Sequence, residues 1–276
     1  MCAANVSEGR DGGVLDALRA AGAGSLLDVH VDIDHHRSVL TLAGAPDDLV
    51  ARVLAVAAVA LGSIDLQRHA GVHPRFGALD VVPFAPLAGT ALEGSIGARE
   101  AVIVGLAAMG IPAFRFGPGP PGAERTLPEL RRGAFASIAP DAGPAAPHPT
   151  AGAAAVGARE PLVAWNLWLG GASPVATRHL AAAVRQPSVR ALGLEVTGAT
   201  QVSCNLLDPT VVTPLDVYRQ VERALRPDAH VVRCELVGLV PRAVLDAVPE
   251  EWWARLDLGE ERSLEARAAA AGLVGG

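Results

Sequence analysis

Cysteine, aromatic residues and long apolar stretches are all scarce in this 276-residue sequence. Its three cysteines, Cys2, Cys204 and Cys234, are too few and too widely separated for a disulfide framework or a cysteine-based zinc site. The longest apolar run, from Val53 to Gly62, is far shorter than the ~20 residues that span a bilayer. The first residues, "MCAANVSEGRDGG", contain no apolar core of signal-peptide length. We therefore expect a cytoplasmic protein that does not contact a membrane.

Positive charge is also in the minority, because 23 Lys+Arg residues stand against 29 Asp+Glu, giving a formal net charge of -6. Nucleic acid is disfavoured as a partner, since phosphate binding needs a concentrated basic face. A small anionic ligand stays compatible, because a few local arginines can outweigh a mildly acidic total. Hydrophobic residues, in contrast, make up 50% of the chain and predict a packed core of Ala, Val and Leu rather than disorder.

Strand-like and helix-like stretches alternate in both halves of the chain. The first 118 residues follow the order β-α-β-β-α-β-α, and the order β-α-β-β-α-β returns from Pro161. Helices are predicted over 14–22, 47–63, 95–109, 174–185 and 213–225, with a further helix beginning in 241–248. The repeated order predicts an α/β (α+β) fold of two ferredoxin-like βαββαβ lobes, with a ligand cleft or tunnel between them.

A segment over residues 117–152 interrupts this alternation. Its parts "GPGPPGAERTLPELRRGAF" and "APDAGPAAPHPTAG" are rich in Pro and Gly and have little periodicity. One interpretation is a linker between the lobes. The other is a lid or binding segment, because loops this long are uncommon in compact chains unless they have a function.

The stretch "DVHVDIDHHR" also has two interpretations. If it is a continuous strand, His30, Asp32, Asp34 and His36 share one face and offer imidazole and carboxylate ligands to a metal. If it is a hairpin turn between two apolar strands, its acidic residues lie in solvent.

The stretch "RHAGVHPR" places His69 and His73 four residues apart, but Gly71 and Pro74 break any helix that would put them on one face. A helical metal-ligand pair is therefore excluded, and a kinked loop leading into the strand "ALDVVPF" is predicted. A histidine on a loop held by a rigid scaffold suits proton transfer near neutral pH. A histidine exposed in a surface turn is the alternative.

Six segments together carry a resemblance to a known family. They are "ANVSEGR", "HAGVHPRFGALDVVPFAPL", "RTLPELRRGAF", "VGAREPLVAWNLWL", "QVSCNLLDPTVVTPLDVY" and "ELVGLVP", in this order along nearly the whole chain. In this combination the chain resembles the formiminotransferase domain family. The resemblance implies two α/β lobes with a folate tunnel between them. It implies an N-terminal subdomain over 1–152, which includes the segment 117–152, and a C-terminal subdomain over 153–276, without the cyclodeaminase domain of mammalian members.

The resemblance also implies an activity. Members of the glutamate formimidoyltransferase type transfer the formimino group of N-formimino-L-glutamate to N5 of tetrahydrofolate, giving 5-formiminotetrahydrofolate and L-glutamate in histidine degradation. Tetrahydrofolate would be a co-substrate, and no metal is expected. The partners would be small molecules, with a homodimer as the candidate assembly.

The family's catalytic histidine lies in its HPR triplet, which here is His73. We expect this one histidine to take a proton from the attacking nitrogen and to deliver one to the leaving nitrogen. Arg37 and Arg75 are predicted to clamp substrate carboxylates, because the guanidinium fork matches them bidentately, and Asn205 to orient a polar substrate group. The family's folate-contacting stretch corresponds to Gly143, Pro144, Ala145, Ala146, Pro147, His148, Pro149, Thr150, Ala151 and Gly152.

Four positions depart from the family pattern. His30 and His36 stand where the family has an acidic residue and an asparagine, Val72 where it often has Glu, and Ala151 where it usually has an aromatic residue. Two other functions therefore stay open. One is transfer of a formyl group from a donor such as N-formylglutamate, and the other is a folate-binding module without catalysis.

Overall fold

The computed structural model of this chain describes residues 1–87, 90–119 and 124–273. It divides the chain into two compact units, Met1–Glu160 and Pro161–Gly276. Residues 120–123 of the Pro/Gly-rich segment and residues 274–276 of the expected C-terminal subdomain lie outside the described residues. The expected division between 152 and 153 stays a prediction about subdomains.

In the described residues of the first unit, six strands form one sheet. They are β1 (Cys2–Val6), β2 (Leu26–Asp32), β3 (Arg37–Leu42), β4 (Leu79–Phe84), β5 (Ala113–Phe116) and β6 (Ala154–Ala158). The strand order is β2-β3-β1-β4-β6-β5. The antiparallel pairs β2–β3, β3–β1 and β1–β4 make the ferredoxin-like part, and β6 and β5 extend it with parallel pairs.

Three long helices accompany this sheet: α1 (Gly12–Gly22), α2 (Pro46–Ser63) and α3 (Leu92–Ala108). Each lies where a helix is predicted from the sequence, and the start signals are visible in the structure. Asp11 caps α1 by accepting hydrogen bonds from two backbone N–H groups, and Pro46 occupies the first turn of α2. The buried faces of these helices complete a core of small aliphatic residues against the sheet.

Strand β6 was not predicted from the sequence, although it lies between β4 and β5 in the sheet. Its sequence, Ala-Ala-Val-Gly-Ala, has one β-branched residue and therefore little strand propensity. All five of its residues are buried, and a Cβ at Gly157 would overlap the ring of Phe116. The small side chains are thus required by packing, which overrides propensity.

The sequence analysis also missed a short helix, α4 (Leu127–Gly133), inside the Pro/Gly-rich segment. Thr126 and Glu129 form a capping box at its N-terminus. The side chain of Leu130 is 0% exposed and packs in a cluster with Phe114 and Phe116. The segment 117–152 is therefore folded onto the first unit where the structure describes it.

The second unit repeats the ferredoxin-like pattern. Its described elements are β7 (Val163–Gly170), α5 (Pro174–Val184), β8 (Val189–Val196), β9 (Ala199–Leu206), α6 (Pro214–Ala224) and β10 (His230–Val237). The antiparallel sheet has the order β10-β7-β9-β8. Three short helices follow, α7 (Arg242–Asp246), α8 (Trp253–Leu256) and α9 (Leu264–Ala270). The fold class predicted from the repeated βαββαβ order, two ferredoxin-like lobes, is confirmed.

The tail of the second unit is tied to its core by an aromatic side chain. Trp165 on β7 is completely buried, and its indole N–H donates a hydrogen bond of 2.8 Å to the backbone carbonyl of Leu256. Across the described ranges of both units, none of the helices has the length and apolar character needed to cross a membrane.

Candidate active site

Two segments of the first unit meet at one end of its sheet: the β2–β3 turn over 33–36 and the loop over 69–75. The backbone N–H of Val72 donates to the carbonyl oxygen of Asp34 at 3.3 Å. The segments approach so closely that a Cβ at Gly71 would overlap the carbonyl oxygen of His35. Glycine at 71 is therefore a packing requirement, and the two histidine-containing stretches form one wall.

The stretch "DVHVDIDHHR" is a hairpin, so the single-strand interpretation of its four polar residues is wrong. Strand β2 ends at Asp32 and β3 begins at Arg37, which puts Asp34 and His36 in the turn. The carboxylate of Asp32 closes the turn by accepting a 2.7 Å hydrogen bond from the backbone N–H of His35. The expectation that the acidic residues of this hairpin lie in solvent is wrong for Asp32, whose side chain is 12% exposed, and His35 is buried at 7% exposure.

His73 lies in the loop with its Nδ1 atom between a donor and an acceptor. Nη1 of Arg37 is 3.2 Å away, and the carbonyl oxygen of Pro74 is 2.6 Å away. Burial, followed by the positive charges of Arg37 and Arg131, lowers the pKa of His73 from 6.5 to about 2. The imidazole is therefore neutral near pH 7 and can exist as either tautomer, one bonded to Pro74 and the other to Arg37.

Arg37 is held by two other side chains. Its Nη1 donates to Oδ2 of Asp80 at 2.5 Å, and its Nε and Nη2 donate to Oδ1 of Asn5 at 3.1 and 2.7 Å. Asp80 is 0% exposed, and its Oδ1 accepts hydrogen bonds from the backbone N–H groups of Phe76 and Gly77. One buried carboxylate therefore fixes both the arginine beside His73 and the chain that follows the loop.

Arg75 holds the loop itself. Its Nη2 donates to the carbonyl oxygens of Gly71 at 2.7 Å and His73 at 2.9 Å, and its Nη1 contacts the ring of His69. These hydrogen bonds, rather than those of a helix or strand, fix the conformation of the loop. The expected clamping of a substrate carboxylate by Arg75 stays a prediction.

A second acidic residue, Glu8, contacts the histidine-containing wall. Glu8 accepts hydrogen bonds of 2.7 to 2.9 Å from the backbone N–H groups of 9–11, and one of its oxygens lies 3.0 Å from Nε2 of His36. Burial alone would raise the pKa of Glu8, but these N–H groups and His36 lower it overall. The ring of His36 stacks on His69 with 3.9 Å between centroids. His36 is therefore built into the wall of the site.

The residues of this histidine-centred wall, with its arginines and buried aspartate, lie within a stretch that matches a known family. A family model, the N-terminal subdomain of the formiminotransferase domain, matches residues 1–159. The chain belongs to the formiminotransferase family. The resemblance inferred from the sequence is thereby confirmed.

Curated members of the family align over most of the chain. A formimidoyltransferase-cyclodeaminase of Sus scrofa is 37% identical over 280 residues, which cover 89% of this chain and 51% of that protein. A glutamate formimidoyltransferase of Streptococcus pyogenes serotype M1 is 32% identical over 275 residues, 90% of this chain and 91% of the relative. A glutamate formimidoyltransferase of Thermoplasma acidophilum is 32% identical, covering 88% of each chain. The chain spans about half the length of the formimidoyltransferase-cyclodeaminases that it matches.

The stretch 143–152, where folate contacts are expected, ends in a turn beside the end of the His73 loop. His148 and Gly152 exchange backbone hydrogen bonds of 2.8 and 2.9 Å, and Nδ1 of His148 accepts from the N–H of Ala151 at 3.1 Å. The N–H of Ala78 donates to the carbonyl of Ala151 at 2.9 Å. The end of this stretch is thus hydrogen-bonded to Ala78, which follows His73 closely in the chain. Residues 144–147 are exposed.

Two positions of this stretch serve the protein's own packing. Ala151 is 2% exposed and lies in the main core, so its methyl group does not face a ligand. Gly152 has φ +67°, and a Cβ there would lie 2.6 Å from the carbonyl oxygen of Phe76. The close approach that requires glycine at 152 is therefore to the chain itself, and substitution there would disturb the fold as well as any ligand contact.

Asn205 lies in the other unit. It is an exposed residue of β9, paired with Ala164 on β7 and Arg190 on β8. Its expected role in orienting substrate stays a prediction.

Three residues that contact Arg37 or Asp80 in this formiminotransferase fold were not predicted from the sequence: Asn5, Asp80 and Arg131. Asp80 was detectable, because it is a lone carboxylate within the apolar strand "LDVVPF", where an unpaired charge would be strongly unfavourable. Arg131 lies in "RTLPELRRGAF", and its contact with Asp80 at 3.5 Å depends on tertiary structure.

Proposed function

We propose that this chain transfers the formimino group of N-formimino-L-glutamate to N5 of tetrahydrofolate, releasing L-glutamate. The observation that carries the proposal is a neutral His73, held at Nδ1 between Arg37 and a backbone carbonyl in a site rich in arginine. The alignment with proteins named glutamate formimidoyltransferase, over nearly their whole length, supports the same activity.

The chemistry needs a group that can both accept and donate a proton. N5 attacks the amidine carbon of the donor, and a tetrahedral intermediate forms. The bond from this carbon to the glutamate nitrogen then breaks. Overall, one proton leaves N5 and one arrives on the glutamate nitrogen, so no other reactant is required. General acid–base catalysis of this kind contributes about 10²- to 10⁴-fold to the rate.

The contact of Nδ1 with the carbonyl of Pro74 suits His73 to both steps. When Nδ1–H donates to this carbonyl, Nε2 has a free lone pair and accepts the proton from N5. The imidazolium formed in this way then delivers its Nε2 proton to the leaving glutamate nitrogen and returns to the neutral Nδ1–H form. Burial, with the positive charges of Arg37 and Arg131, lowers the pKa of His73, which makes the imidazolium a ready proton donor and the neutral ring a weak base.

The charge of the site matches an anionic donor. Three guanidinium groups, those of Arg37, Arg75 and Arg131, contact His73 or Asp80. N-formimino-L-glutamate carries two carboxylates, and a guanidinium group can bind a carboxylate through two parallel hydrogen bonds.

The co-substrate is assigned to the turn over 143–152. Its exposed residues 144–147 include two prolines, which limit the entropy lost when a loop orders around a ligand. On addition of tetrahydrofolate we expect amide hydrogen exchange in 143–152 to slow. Exchange in α5 of the second unit serves as the internal reference. Unchanged exchange in 143–152, with protection elsewhere, would move the folate site away from this turn.

The cellular compartment and the oligomeric state are proposals as well. Cys2, Cys204 and Cys234 are all unpaired and buried, which fits a reducing compartment such as the cytoplasm. A homodimer stays a prediction.

The donor is tested by comparing two substrates. With tetrahydrofolate at saturation, kcat/KM for N-formimino-L-glutamate should exceed that for N-formyl-L-glutamate, because the amidine accepts a proton more readily than a formamide does. Product formation is followed by chromatography of the substituted folates. A preference for the formyl donor would replace the formimino assignment by formyl transfer. Folate binding without turnover of either donor would mean a binding module.

A further inference from the structure

Arg131 differs from the other two arginines of the site in its hydrogen bonding. Arg37 donates to Asn5 and Asp80, and Arg75 donates to the carbonyl groups of its own loop. Arg131 contacts Asp80 at 3.5 Å, and it shares that carboxylate oxygen with Arg37, which is nearer at 2.5 Å. Its Nε atom is buried and has no hydrogen-bond partner among the residues that the structure describes.

The position of Arg131 is well defined. Helix α4 is closed at its N-terminus by the capping box of Thr126 and Glu129, and anchored by the fully buried Leu130. The Arg131 side chain is 27% exposed, so it is not sealed off from solvent. Burial lowers the pKa of Arg131, and Arg37 lowers it further, against the opposing effect of Asp80. A guanidinium nevertheless stays charged, so its incomplete pairing is unfavourable until an anion arrives.

We propose that Arg131 binds a carboxylate of the formimino donor, an assignment that rests on the function proposed above. The guanidinium fork matches a carboxylate, and the ligand's negative charge supplies the partner that Asp80 provides incompletely. Bound there, the donor lies beside the same Asp80–Arg37 pair that contacts His73. Arg131 is thus a donor-binding and specificity-determining residue, while Arg37 positions His73 and Arg75 shapes the loop.

The test compares Arg131→Gln with Arg132→Gln, a neighbouring exposed arginine on the same helix. Arg131→Gln should raise KM for N-formimino-L-glutamate by about 10- to 100-fold, which is the range expected when a hydrogen bond to a charged group is lost. KM for tetrahydrofolate should stay unchanged, and Arg132→Gln should leave both values unchanged. Arg131→Lys keeps the charge without the fork, so its KM for the donor should lie between wild type and Arg131→Gln.

Donor analogues identify the recognised group. The α-amide and the γ-amide of N-formimino-L-glutamate each lack one carboxylate. One of them should be a poor donor for the wild-type protein and should lose nothing further in Arg131→Gln. Equal further losses with both amides would overturn the proposal, as would a rise of KM for tetrahydrofolate instead of the donor. Thermal unfolding of each variant establishes that it is folded.

Calorimetric titration with L-glutamate separates this inference from the proposed activity. L-glutamate should bind the Arg131→Gln variant more weakly than the wild-type protein, and Arg132→Gln should bind it normally. If the wild-type protein transfers no formimino group, the proposed function fails, and the titration alone then decides on Arg131. Equal affinity of wild type and Arg131→Gln for L-glutamate overturns the proposal.

Discussion

Replacing His73 with alanine should lower kcat for formimino transfer by about 10²- to 10⁴-fold, the contribution of a positioned general acid–base group. The fold should persist, because Arg37 keeps its bonds to Asp80 and Asn5 when the imidazole is removed. Steady-state kinetics give the effect on kcat, and calorimetric titration with tetrahydrofolate should give an affinity close to that of the wild-type protein.

Two further variants sharpen this result. His73→Asn has a similar size without a titratable ring, and it should be nearly as inactive as the alanine variant. His179→Ala removes an exposed histidine of α5 and should behave like wild type. If either variant at 73 retained most of the wild-type kcat, His73 would have no place in the mechanism.

The pH dependence of stability gives an independent readout of His73. Its pKa is lowered from 6.5 to about 2, chiefly by burial. Between these values the unfolded chain binds more protons at this residue than the folded chain, so acidification below 6.5 destabilises the fold through His73. His73→Ala removes this effect, and its free energy of unfolding should therefore fall less than that of wild type between about pH 7 and pH 4. Parallel loss in the two proteins would mean that the histidine is not buried among positive charges.

Replacing Asp80 with asparagine should have the largest effect on stability. The carboxylate is 0% exposed and pairs with Arg37 and Arg131. Removing one partner of a buried ion pair leaves the others uncompensated and typically reduces the free energy of unfolding by about 3–5 kcal/mol. Urea denaturation of the wild-type and variant proteins measures this difference. Activity should fall as well, because Arg37 loses the bond that holds it beside His73.

The control is Asp16→Asn, which breaks the surface pair of Asp16 and Arg19 in the same unit. The Asp16 side chain is 79% exposed, so its loss should change the free energy of unfolding by at most about 1 kcal/mol. If Asp80→Asn were no more destabilising than Asp16→Asn and remained active, the buried carboxylate would not organise the site.

The lobes were predictable because they depend on patterns that are local in sequence. Helices α1, α2, α5 and α6 each have a clear start signal, at Asp11, Pro46, Ser173 and Thr213. Strand β6 was not predictable in this way, because contacts with distant residues such as Phe116 require its small side chains. Helix α4 was not predicted because prolines surround it, although the Thr and Glu of its capping box have the expected spacing in the sequence.

The site was predictable only in part. Gly71 and Pro74 in the sequence exclude a helix and correctly give a loop for His73. The charged side chains around that histidine come from separate parts of the first unit, and no spacing in the sequence reports that Arg37, Asp80 and Arg131 meet. The hydrogen bonds of Arg75 likewise depend on how its loop folds back on itself. Long-range pairing of charges is the part of the site that requires the structure.

Transfer of a formimino group to folate through His73 is tested most directly by following the transferred carbon. The purified protein is incubated with tetrahydrofolate and N-formimino-L-glutamate labelled with ¹³C at the formimino carbon, and the reaction is monitored by NMR. We expect the label to move from the donor to N5 of the folate with equimolar release of L-glutamate, and to stay on the donor with His73→Ala. A folded wild-type protein that leaves the label on the donor, or releases it by hydrolysis without a labelled folate, would contradict the claim.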